Sequence, residues 1–164
     1  MNSELGIPED YGRSRGLSLQ AEATALVGVG SSPYGRPIEL EPRAADAWVR
    51  MREEALRDGV TLEPLSGFRS VARQREIIER KLGAGETIEV ILRTMAAPGY
   101  SEHHTGRAID IGTPGQPPLT TLFAGTAAFR WLEAHGASFG FHLSFPRDNP
   151  HGITYEPWHW CHRP

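Results

Sequence analysis

The sequence predicts a small α+β domain in which helices pack on a central antiparallel sheet. Three observations carry that expectation. The 164 residues suit one domain with one sizeable core, which at this length removes roughly 68–70% of the unfolded chain's surface from water. Helical periodicities fall mostly in the first part of the chain, and short alternating apolar segments fall mostly in the last part. Helices followed by strands favour α+β over a regular βαβ succession.

Residues 1–22 are polar and broken by Gly6, Pro8, Gly12 and Gly16, which predicts an N-terminal arm or loosely docked segment, with the domain proper spanning 23–164. The apolar run Ala25–Val29 predicts an edge strand, and Gly30 to Pro37 a loop. From Glu41 to Asp58 the residues Ala45, Trp48, Met51, Ala55 and Leu56 recur at helical steps, with Pro42 in the first turn and Gly59 as a stop. Val60 to Phe68 alternates as a strand would and ends at Arg69. Ser70 then suits an N-cap for a helix carrying Val71, Gln74, Ile77, Ile78 and Leu82 inward as far as Gly83.

A further helix fits Thr87 to Met95, stopped by Pro98 and Gly99. Ala108-Ile109-Asp110-Ile111 alternates as a short strand, with Ala108 and Asp110 on one face. Thr126 to His135 reads as a helix with Ala127, Ala128, Trp131 and Leu132 inward, closed by Gly136. Phe139 to Phe145 and Ile153 to Trp160 are the last expected strands.

Composition narrows the function. The net charge is −3 and the arginines are dispersed, so no basic footprint for nucleic acid exists. No apolar run approaches the ~20 residues of a membrane span. The single cysteine, Cys161, excludes an internal disulfide. The first residues, MNSELGIPEDYGRSRG, carry charges where a secretory leader has an apolar core. The compartment stays open: without a leader the chain reads as cytoplasmic, and with a leader removed it reads as a cell-envelope or secreted protein. The sequence leaves the oligomeric state open and favours a monomer.

The chemistry concentrates in SEHHTGRAIDIG, residues 101–112, and in EPWHWCH near the C-terminus. His103, Asp110 and His159 supply the histidine and carboxylate donors of a catalytic zinc site, which typically keeps three protein ligands and one open position. Zinc lowers the pKa of its water to about 7, and Glu156 is placed to take the water's proton and pass it to the leaving amine. Glu156 and His159 would face opposite sides of an extended strand, so this role needs a bend, which Pro157 supplies. Arg69, always charged and forked, suits a developing oxyanion. Singly, each residue has a plainer reading: a core or surface histidine, a buried capping carboxylate at Asp110, a surface ion pair at Arg69.

In combination the residues resemble a family. Ser101-x-His103-x-x-Gly106-x-Ala108-x-Asp110 matches the S-x-H-x-x-G-x-A-x-D signature of the zinc D-alanyl-D-alanine carboxypeptidases and dipeptidases of vancomycin-resistance type. Glu156-Pro157-Trp158-His159 matches their E-x-x-H element, and Ser66-Gly67-Phe68-Arg69-Ser70 with Gln74 matches S-G-[YF]-R-S-x-x-x-Q. The resemblance runs from about Leu26 to Trp160. It implies one zinc ion on His103, Asp110 and His159, Glu156 as catalytic base, Arg69 on the substrate carbonyl, and Ser101, Tyr100 and Gln74 orienting the substrate. The implied fold is a small α+β domain whose antiparallel sheet carries the zinc on its open face.

The implied reaction is hydrolysis of a D-alanyl-D-alanine end on peptidoglycan-type peptides. A wall endopeptidase or a free D,D-dipeptidase shares the same chemistry. A zinc-stabilised binding domain without activity is the rival of another class, and the joint presence of Glu156 and Arg69 argues against it. His104 is expected to point away from the metal, and Cys161 to be a buried free thiol turned away from the side of His159.

Overall fold

A computed structural model gives the fold of the chain and describes residues 2–163. Among these residues five α-helices and six strands follow in order: α1 (Tyr11–Arg15), β1 (Val27–Ser31), β2 (Pro37–Leu40), α2 (Pro42–Arg57), β3 (Glu63–Ser66), α3 (Val71–Gly83), α4 (Ile88–Thr94), β4 (Ala108–Gly112), α5 (Ala127–His135), β5 (Phe141–Leu143) and β6 (His159–His162). Strands β1 and β2 form a separate antiparallel pair, and the other four form an antiparallel sheet in the order β3-β4-β6-β5. Pro64 is accommodated because β3 lies at the sheet's edge, where a missing N–H interrupts no central ladder.

Helix starts follow the side chains that cap them. The carboxylate of Glu41 accepts from Ala44 N at 3.1 Å with Pro42 in the first turn, Ser70 Oγ accepts from Arg73 N at 3.0 Å, and Thr126 Oγ1 accepts from Phe129 N at 3.1 Å. Helix α2 buries Trp48, Met51 and Ala55 as the periodicity predicts, but Leu56 is 63% exposed, on the solvent edge of that stripe. In α5 the buried set is Ala128, Phe129, Trp131 and Leu132, and Ala127 faces out as the first helical residue.

The register divides the sheet into two unlike faces. Ile109 pairs with Trp160, and Trp160 with Leu143, so these side chains share the face that meets α2 and α5 in the main core, with Trp48, Ile111 and Phe141. Asp110 pairs with His159 and Ala108 with Cys161, so the opposite face carries the polar residues. The last strand lies later than the sequence predicts, beginning at His159 instead of Ile153. Residues 153–158 are irregular, and a turn closed by His159 N donating to Glu156 O at 3.1 Å holds Pro157 and Trp158. Strand β2 falls at the end of the expected loop.

The first residues are no loose arm. Leu5, Ile7 and Tyr11 are buried in a second apolar cluster with Ile78, Ile91, Leu92 and Ala97 from α3, α4 and the chain after it. Tyr11 Oη accepts from Ala97 N at 3.1 Å, Arg15 donates to Leu92 O at 2.6 Å, and Gln20 N donates to Gly99 O at 2.8 Å. Glycines break any helical period there, yet three well-spaced apolar side chains suffice to dock the segment. Among the described residues no helix is long and apolar enough to cross a membrane.

Candidate metal centre and its cleft

Three elements converge on the polar face of the sheet. A single 3-10 turn over Glu102–Thr105 follows Ser101, whose Oγ accepts from His103 N at 3.3 Å. It ends at Gly106, with φ of 68°, and a Cβ there would lie 2.8 Å from Glu41 N, so only glycine fits. That turn aims His103 at Asp110 on β4, and the pairing of β4 with β6 brings His159 to the other side of Asp110. One donor atom from each of His103, Asp110 and His159 lies within 4.8 Å of the others, and all three residues are buried. Asp110 Oδ1 is 3.3 Å from His103 Nε2 and 3.1 Å from His159 Nδ1.

The outward ring nitrogens are also engaged. His103 Nδ1 lies 2.7 Å from Gly67 O, and His159 Nε2 lies 2.9 Å from Glu102 Oε2. A carbonyl and a carboxylate only accept, so each outward nitrogen carries a proton, and the inward one is the nitrogen left for a metal to take. Two imidazoles and one carboxylate, held this way in a buried cluster, suit zinc.

Electrostatics agree with a cation site. Burial works to raise the Asp110 carboxyl, but the two histidines override it and hold the group well below the usual carboxylate range. Burial alone lowers His159, and the hydrogen bonds it donates to Asp110 and Glu102 push it up to about 10. Carboxylates that attract a proton there attract a divalent cation, which displaces that proton on binding. His103 is lowered, chiefly by burial.

Glu156 has the opposite character. It is 8% exposed, accepts no hydrogen bond from a side chain among the described residues, and its Oε2 lies 3.9 Å from His159 Nδ1. Burial, with Asp110 and Glu102 adding repulsion, lifts its carboxyl to about 7 against the attraction of His159 and Arg69. A carboxyl at that value exchanges a proton near neutrality. Arg69 is desolvated by burial and drawn back toward its charged form by Asp110 and Glu156. Its guanidinium is fixed by Gln74 Oε1 at 2.8 Å and Ser66 Oγ at 3.3 Å, while Gln74 Nε2 donates to Ala96 O at 2.7 Å.

A cleft of about 390 Å³ opens over these groups, within the range of small-ligand sites. Its walls include His103, Asp110, His159, Glu156, Arg69, Gln74 and Ser101. Seven of the eight expected site residues therefore meet in one place. Tyr100 does not: its ring packs edge-on against Tyr11, centroids 5.2 Å apart, and lies over Gly12, outside the cleft lining. The turn at Pro98 and Gly99 sends it back toward the N-terminal segment, while Ser101 points into the cleft. Gln74 has both ends of its amide engaged, so it fixes Arg69 instead of being free for substrate.

His104 turns away from the centre, with Nδ1 2.6 Å from Arg69 O and Nε2 accepting from Gly99 N at 3.1 Å. Cys161 corrects one expectation. Two residues after His159 on the same strand, it shares the face of His159, because side chains repeat every second residue. It is a buried free thiol pushed up to about 12 by burial, and it is not part of the donor cluster. Glu102, by contrast, went unread in the sequence. Its carboxylate sits beside His159 and is held by Ser144 Oγ at 2.6 Å and by Arg163.

Comparison with known proteins places this geometry. The family described as VanY, D-alanyl-D-alanine carboxypeptidase, matches residues 37–164. The bifunctional D-Ala-D-Ala dipeptidase and carboxypeptidase VanXYC of Enterococcus gallinarum is 33% identical over 132 residues, covering 75% of this chain and 66% of that protein. The LD-carboxypeptidase LdcB superposes with a TM-score of 0.78 at 29% identity, over 87% of this chain and 70% of the other. A vancomycin-resistance D,D-pentapeptidase VanY in complex with Zn(II) gives 0.67 at 26% identity, over 87% and 80%. The chain spans about half the length of several curated relatives it matches, 45–48%. With the family match covering the whole four-stranded sheet and every wall of the cleft, the chain belongs to the VanY family of D-alanyl-D-alanine carboxypeptidases.

Proposed function

We propose that the chain is a zinc-dependent metallopeptidase that hydrolyses the terminal peptide bond of D-alanine-ended peptides of peptidoglycan type. The observation that carries this reading is the meeting, in one cleft, of a three-donor metal cluster with a buried carboxyl near pKa 7 and a partly buried, fixed guanidinium. A metal held only for structure needs neither of the last two.

In this reading His103 Nε2, Asp110 and His159 Nδ1 hold one zinc ion. Bound there, zinc supplies Lewis acidity and brings a water's pKa to about 7. Glu156, ionised, removes the proton as the water attacks the carbonyl carbon, and delivers it to the amine as the C–N bond breaks. Arg69 faces the charge that grows on the carbonyl oxygen, and because Gln74 and Ser66 already hold it, little reorganisation accompanies the step. Ser101 lines the cleft beside the donors and is available to a substrate polar group.

The stereochemistry at the scissile bond has two supported readings. The match to the D-Ala-D-Ala enzyme VanXYC favours a D,D bond, and the likeness to the LD-carboxypeptidase LdcB favours an L,D bond. A panel of purified wall peptides, half ending in D-alanyl-D-alanine and half in an L-centred residue followed by D-alanine, separates them by the substrate that releases free D-alanine. Larger fragments as the sole products would indicate an endopeptidase, and no product from any peptide at saturating zinc would refute the proposal.

A further inference from the structure

His159 poses a geometric problem that the metal cluster alone does not solve. The imidazole has two nitrogens, and a half-turn about its outer side-chain bond exchanges which edge faces Asp110. His103 and His159 present different nitrogens to the centre, Nε2 from one and Nδ1 from the other. His103 is kept in place by a backbone carbonyl, Gly67 O. His159 is kept in place by a side chain, Glu102, the residue directly before His103.

We propose that Glu102 is a positioning residue of the metal centre, acting through His159 to fix the ring orientation and the tautomer that leaves Nδ1 free to bind. Its carboxylate is itself held at both oxygens. Oε2 accepts from His159 Nε2 at 2.9 Å and from Ser144 Oγ at 2.6 Å, and Oε1 accepts from Arg163. Arg163 Nη2 also donates to Ser144 Oγ at 3.0 Å, closing the set. Ser144 follows β5 and Arg163 follows β6, so the ends of two paired strands clamp the acid. The side chain of Glu102 is 16% exposed, which keeps water from competing strongly for the same bonds. The tripeptide Ser101-Glu102-His103 thus supplies a cap, an orienting acid for the distant ligand, and a ligand.

This inference rests on the reading that His103, Asp110 and His159 hold zinc, and the test separates the two. Zinc affinity of the full chain is measured by competition with a chromophoric chelator at neutral pH, for wild type, Glu102→Gln, Arg163→Met and Asp110→Asn, with the cobalt(II) absorption spectrum recorded at saturating metal. Glu102→Gln is expected to bind one zinc with about 10–100-fold lower affinity, the usual cost of removing an outer-sphere partner of a metal-bound histidine. Its cobalt bands should shift. Arg163→Met, which frees the acid without touching the histidine, should weaken zinc in the same sense but less. Wild-type affinity and an unshifted spectrum in Glu102→Gln would overturn the role of Glu102. Undiminished zinc binding in Asp110→Asn would instead overturn the ligand set.

Discussion

Replacing Glu156 by glutamine should make the metal-free protein more stable while lowering hydrolysis by the zinc-bound protein. The carboxyl is held at about 7, against an ordinary value of 4.5, chiefly because burial penalises the charged form. Its folded value is raised, so the stability it permits is complete below pH 4.5 and is lost as pH climbs through 7. Each pKa step corresponds to about 1.4 kcal/mol, so ionising Glu156 in the fold costs up to about 3 kcal/mol at pH 8. Glutamine has nearly the same shape and no charge, and it never incurs that cost. Denaturant unfolding in chelator at pH 5 and pH 8 gives the comparison. The variant should match the wild type within about 1 kcal/mol at pH 5 and exceed it by up to about 3 at pH 8. Hydrolysis at pH 8 should fall by roughly 10²–10⁴, the range of general acid–base catalysis, with zinc still bound. A variant no more stable at pH 8, or stabilised equally at both pH values, would refute the burial argument.

Other expectations concern neighbouring groups. Arg69→Lys loses the fork that Gln74 and Ser66 hold, so kcat should drop by about 10²–10³ with zinc content unchanged, and a loss of only about twofold would count against its role on the oxyanion. The acid limb of kcat/KM should rise with pH through a value no higher than about 7, because a bound cation further favours ionised Glu156; a limb well above 7 would exclude it as the base. Tyr11→Ala should destabilise the fold by about 3–5 kcal/mol, as for other large buried rings, because it also leaves Ala97 N without its acceptor. A change under about 1 kcal/mol would mean the N-terminal segment is dispensable.

What could be read in advance follows a physical line. His103, Asp110 and His159 were legible because a turn glycine and a period-two strand put chemically unusual donors at readable positions, and the helices of the main core were legible from their apolar spacing. Glu102 was not, because an acid between a serine and a histidine looks like any solvated residue until β5 and β6 bring Ser144 and Arg163 around it. The docking of Leu5, Ile7 and Tyr11 was hidden for a related reason: three isolated apolar side chains have no period, and their partners lie some seventy to ninety residues away on α3 and around α4. Tyr100 was misplaced because adjacency to Ser101 implies nothing about direction after Gly99, whose φ of 89° reverses the chain. Cys161 is the buried free thiol the sequence suggests, but the two-residue alternation puts it on the face of His159 and not away from it.

The position of the metal tests the account most directly. A crystal of the full chain grown with zinc, with anomalous scattering measured on both sides of the zinc edge, should show one strong peak about 2.0–2.2 Å from His103 Nε2, an Asp110 oxygen and His159 Nδ1. Glu156 should lie outside bonding distance. A peak bound through His159 Nε2, a peak on Glu156 in place of Asp110, or no peak in the cleft at saturating zinc would contradict it.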